Sequence, residues 1–125
     1  MKLFHLLIIC FSLNVAIYAQ NKDNREVILF YPNNKADIAS KQLKILSADL
    51  AGLSERQIRI IRVVTNSKDF ENYSPLKINP NLFTVVLVGK DGGQKFSSNE
   101  IITSAKLYDL IDQMPMRKQE MKGKN

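Results

Sequence analysis

Residues 84–121 constrain this chain more than any other stretch, because they pass from an apolar strand (TVVLV) through Lys90-Asp91-Gly92-Gly93 to a short return and a helix ending LYDLIDQM. An Asp-Gly step between two strand-forming runs closes a tight hairpin, since glycine supplies the positive φ that such turns need. The strands expected around it are 82–88 and 94–96. Leu107, Leu110, Ile111 and Met114 then recur at helical spacing. Ser97 to Glu100 has capping-box spacing and Thr103 is an equally good cap; the stripe fits either start, and Thr103 is favoured. The helix is expected to end at Gln113, stopped by Pro115.

The preceding half has a different rhythm. EVILFY, residues 26–31, is a strand buried on both faces and closed by Pro32-Asn33-Asn34. Ala39, Leu43, Leu46, Leu50 and Leu53 form a helical stripe, predicting a helix over 38–51 with Asp37 as its cap and Gly52 at its end. QIRIIRVV, residues 57–64, is the next strand; Arg59 and Arg62 interrupt it as suits a sheet edge. A strand, a crossover helix and a strand give a right-handed unit with the two strands parallel. Residues 66–82 contain Pro75 and Pro80 and lack a clean period, so a connecting loop with one helical turn near 69–73 is expected. The Asn72-Tyr73-Ser74 acceptor pattern carries no weight by itself.

The element order is therefore βαβ followed by ββα. This is the minimal thioredoxin-like α/β arrangement: a four-stranded mixed sheet in order 2-1-3-4 with flanking helices.

Residues 1–19 have the parts of a secretory signal: Lys2, an apolar stretch over 3–16 and a small residue at Ala19, after which cleavage is expected. Bulky Ile8 and Ile9 before Cys10 argue against a lipid-modified cysteine. A short disordered segment over 20–25, a domain over 26–114 and a basic tail over 115–125 complete the expected organisation. The protein is then secreted or periplasmic, a monomer, and free of membrane contact once the signal is removed. Cys10 and His5 are the only cysteine and histidine. Removal of the signal excludes thiol redox chemistry, a histidine base and zinc or copper sites built from thiolate or imidazole. No cofactor is implied. The net charge of +6 is moderate, and 17 basic side chains face 12 acidic ones once Lys2 is gone. Arg117, Lys118, Lys122 and Lys124 are read as a solvated tail, and no nucleic-acid motif accompanies them.

The segments FYPNNKADIASKQLKIL, VLVGKDGG and LIDQMPMRKQEM resemble those of the exported domain-of-unknown-function family 4174, of bacterial periplasmic proteins and related modules of animal extracellular sushi-repeat proteins. The resemblance covers nearly all of the chain after residue 19. It implies a thioredoxin-like or peroxiredoxin-like fold, no settled activity, and a structural role for the motif residues Lys90, Asp91, Gly92, Gly93, Asp112, Met114, Pro115 and Arg117.

In thioredoxin-like proteins the loop after the first strand holds the working thiols at a helix N-terminus. Here Tyr31, Asn33, Asn34, Lys35 and Asp37 occupy it, forming a candidate ligand loop without a cysteine. Phe83 stands where a cis-proline usually precedes the third strand. An anion can bind at the helix N-terminus beside Lys35, but a capping Asp37 would take the same donors. Lys90-Asp91-Gly92-Gly93 lacks the spacing of a phosphate loop. Asp109, Asp112 and Glu100 are read as a solvated face, and Met114, Met116 and Met121 as packing or surface rather than a copper site. Arg117 is expected to pair with Asp112 or Glu120. Together these readings point to a non-redox binding or accessory module for an unidentified protein or small ligand. The alternatives are an enzyme of a non-thiol class using the Tyr31 loop, and an envelope protein touching anionic lipid through its tail.

Overall fold

β1 (Arg25–Tyr31) has all seven residues buried, which is why residues 27–31 form an unbroken apolar run rather than alternating. The computed structural model describes residues 22–123. The expected signal and its cleavage site lie outside the described residues. β1 pairs in parallel with β2 (Ile58–Val64), Arg25 opposite Ile58 and Tyr31 opposite Val64. Its other edge pairs antiparallel with β3 (Thr84–Val88), and β3 pairs antiparallel with β4 (Gln94–Ser98). The sheet order is β2-β1-β3-β4, as the element order predicts.

Side-chain alternation along β1 divides the interior into two cores. Val27, Leu29 and Tyr31 pack with Val85 and Leu87 beneath α1 (Ala36–Ser47) and α3 (Ser104–Asp112), which supply Ala39, Leu46, Leu107 and Ile111. Ile28 and Phe30 face the other way, toward Val63, Val86 and Val88. That second face is covered by the stretch expected as a loop. It contains a nine-residue 3-10 run, Lys68–Leu76, broken at Tyr73. Phe70 and Tyr73 meet the Phe30 ring edge-on at centroid distances of 5.9 and 5.3 Å. Two aromatic contacts and the need to cover an apolar face organise a segment whose composition suggests only turns.

The expected helix over 38–51 is two helices. α1 starts at Ala36 after a 3-10 turn, Asn33–Lys35, and ends at Ser47; α2 (Leu50–Glu55) follows. Asp37 is therefore not the cap: it lies in the first turn of α1, where its charge still complements the helix dipole. The N-cap of α1 is Lys35, which makes no side-chain cap bond; the capping aspartate is Asp49 of α2, whose carboxylate accepts the Gly52 N–H at 3.0 Å. Gly52 does not end the helix. A Cβ there would collide with the Asp49 carboxylate and lie 2.6 Å from the Tyr108 hydroxyl, so close approach explains the glycine. One apolar stripe runs across both helices, hiding the break.

β1 starts at Arg25, inside the segment expected to be disordered, and Arg25 is 1% exposed. Thr103 caps α3 as expected, its hydroxyl accepting the Lys106 N–H at 3.1 Å. Pro115 stops α3 but does not begin a solvated tail. It is the first residue of α4 (Pro115–Gly123), a position where the missing N–H costs nothing and the fixed φ suits a helix.

Candidate functional site

Two ends of the sheet are candidates. At the C-terminal end of β1, Tyr31 belongs to the first core, and its carbonyl accepts the Thr65 N–H at 2.8 Å. The Thr65 hydroxyl donates to the Pro80 carbonyl at 2.6 Å, which brings the segment before β3 to the same end. Asn33, Asn34 and Asp37 are exposed and Lys35 is half-buried, so four residues of the candidate loop surround the start of α1 while Tyr31 is packed beneath it. No peptide bond among the described residues is cis. Positions 22–123 contain neither cysteine nor histidine.

The opposite end holds the larger constellation. Arg25 and Arg117 are each 1% exposed, and a buried guanidinium must be paired. Arg25 grips both oxygens of Glu120 at 3.2 and 3.0 Å and donates to the Arg56 carbonyl at 2.8 Å. Lys90 Nζ reaches the same Glu120 carboxylate at 2.8 Å and also binds the Gln57 side chain. Arg117 donates to Asp112 Oδ1 at 3.2 Å and to both the carbonyl and the carboxylate of Glu55 at 3.2 Å. Its Nη1 lies 3.7 Å from Glu120, so both expected acidic partners are present, with Glu55 as a third. Arg56 binds Asp112 through two nitrogens at 3.0 and 2.9 Å while stacking over the Tyr108 ring at 3.9 Å.

Among the described residues no buried side-chain nitrogen or oxygen lacks a partner. Burial raises the Glu120 carboxyl, yet the hydrogen bonds and charges of Arg25 and Lys90 outweigh it and hold the group at about 2. The hydrogen bond from Arg56, opposed by burial and reinforced by Arg117, holds Asp112 below its ordinary 3.8. Asp112 therefore departs from the solvated face expected for it, whereas Asp109 and Glu100 are exposed.

The motif residues Lys90, Asp112 and Arg117 thus converge in one charged network, with Met114 and Pro115 at the adjoining helix corner. Asp91, Gly92 and Gly93 remain in the turn. Asp91 accepts the Gly93 N–H at 2.9 Å and pairs with Lys95 at 2.8 Å, and Gly92 has φ of 83°. Sequence reasoning missed Arg25, Arg56 and Glu55, because Arg25 meets Glu120 across 95 positions and Arg56 meets Asp112 across 56. A cleft of about 270 Å³ opens beside the network, between the hairpin residues Gly89, Lys90 and Lys95 and the corner residues Met114, Pro115 and Met116. Arg25 and Asp91 also line it.

The model of a family described as "Domain of unknown function (DUF4174)" matches residues 17–120. Coiled-coil domain-containing protein 80 of Danio rerio is 27% identical over 127 residues, covering 78% of this chain and 14% of that protein. The chain therefore spans only 14% of that curated relative's length. Among solved structures, thioredoxin-2 of the malaria parasite's protein secretion machinery superposes with a TM-score of 0.54 at 16% identity, covering 73% of this chain and 84% of that one. The reduced 2-Cys peroxiredoxin of Plasmodium vivax gives 0.52 at 14% identity, covering 77% and 80%. The N-terminal domain of PilB from Neisseria gonorrhoeae gives 0.52 at 17%, covering 78% and 80%. At these identities the likeness shows the fold alone, and the fold is thioredoxin-like.

Proposed function

Because the chain belongs to the family described as domain of unknown function DUF4174 and has a thioredoxin-like fold, we propose that it is an exported, non-redox binding or accessory module. One observation carries the reading. The loop after β1, where this fold places its reactive thiols, holds Asn33, Asn34 and Lys35, and positions 22–123 supply no cysteine or histidine. Thiol exchange needs a thiolate to attack a sulfur, and no other side chain substitutes for it. Residues 1–19 support export by their pattern. The partner is then a protein or a small molecule, met by a single copy of the chain. The alternative of a lipid-binding basic tail loses one of its cations, since Arg117 is turned inward against Glu55 and Asp112.

Two assays on the protein recovered from its host test the reading: dithiothreitol-driven insulin reduction and thiol-dependent peroxide consumption. Both are expected to run at the rate of buffer, and turnover in either overturns it. An intact mass beginning at Gln20 is expected for the exported form. A chain beginning at Met1 and confined to the cytoplasm contradicts export.

A further inference from the structure

We propose that the cleft between the β3–β4 hairpin and the α3–α4 corner binds a small organic monoanion with an apolar body, such as an alkyl carboxylate. The proposal rests on the binding-module reading and names the ligand class. Its failure would leave the absence of redox activity standing.

The walls and the rim of the cleft differ in character. Met114, Pro115 and Met116 present an apolar wall, and Met116 is 43% exposed. Methionine is unbranched and polarisable, so a wall built from it adapts to apolar bodies of varied shape. Across from it lie Lys90 and Lys95. An ammonium carries three donors; among the described residues Lys90 uses two, on Glu120 and Gln57, and Lys95 uses one, on Asp91. Both therefore retain donors. Lys95 reaches this position because Gly89 has no side chain: a Cβ there would lie 2.6 Å from the Lys95 Cε. Glycine allows the lysine stem to cross the hairpin backbone and deliver its charge to the cleft.

The charge balance favours an anion. Arg25, Arg56, Lys90, Lys95 and Arg117 stand against Glu55, Asp91, Asp112 and Glu120 in the network and its rim, so one positive charge is left over. A monoanion completes the balance, whereas a neutral or cationic ligand does not. The volume, about 270 Å³, lies just below the range usual for small-molecule sites, so a compact ligand is the appropriate class.

Amide chemical-shift mapping of 15N-labelled protein recovered from its host, titrated with octanoate and separately with 1-octanol, tests the proposal. Octanoate is expected to shift residues 89–95 and 114–116 saturably, and octanol at the same concentrations is not. Lys95→Gln is expected to weaken octanoate about threefold, as for a partly exposed ion pair. Met116→Ser should weaken it about fivefold through lost apolar contact. Both variants are checked for folding by their own spectra. No saturable shift in the cleft, equal binding of octanol by the unaltered protein, or undiminished octanoate affinity in both folded variants each overturn the proposal.

Discussion

Gln42 has no exposed surface, yet it faces an otherwise apolar core. Its amide nitrogen donates to the Ile102 carbonyl at 2.9 Å and its oxygen accepts the Ile102 N–H at 2.7 Å, as a neighbouring strand would. One side chain thereby satisfies both backbone groups of the residue leading into α3. Gln42→Leu keeps the volume but strands a buried donor and acceptor, so it is expected to cost about 2–4 kcal/mol, read as a lower urea midpoint at unchanged slope. A midpoint within error of the parent would show that water reaches Ile102. This pairing could not be read in the sequence. Gln42 adjoins Leu43 in a helix whose stripe is apolar, and its partner is 60 positions away. The same distance problem hid Arg25, a lone cation before an apolar run.

At the scale of elements, α4 shows why a charged segment can be structural. Its sequence, PMRKQEMKG, carries little apolar surface, and composition alone suggests a solvated tail. Two of its charges point inward: Arg117 toward Glu55 and Asp112, and Glu120 toward Arg25 and Lys90. Glu120 lies at about 2, below its ordinary 4.5. A depressed carboxyl contributes stability above pH 4.5, and that contribution is lost as the pH falls from there toward 2. Unfolding free energy is therefore expected to decline through this window, and Glu120→Gln should be less stable at neutral pH with a shallower acid decline. Parallel pH profiles for the two proteins would remove Glu120 from the account. The hairpin, the Thr103 cap and the β1 run were legible because each rests on local chemistry. The α1–α2 break was not, because one apolar stripe spans both helices and runs unbroken past the Asp49 cap that separates them.

For the whole molecule, the order of strands and helices was enough to anticipate the sheet, since a parallel pair followed by a hairpin leaves few ways to cover two faces. The covering of the second face was less legible, because Phe70 and Tyr73 act through Phe30 rather than through any period of their own. At one end of the sheet the loop after β1 carries Asn33, Asn34 and Lys35. At the other, motif residues scattered from Lys90 to Arg117 assemble into a clasp that fastens α4 across the start of β1 and forms one wall of the cleft. Amide hydrogen exchange on Arg117→Ala tests that clasp most directly. The clasp predicts that α4 and the amide of Arg25 lose protection while residues 27–30 and 85–87 keep it. Protection of α4 equal to that in the unaltered protein would contradict it.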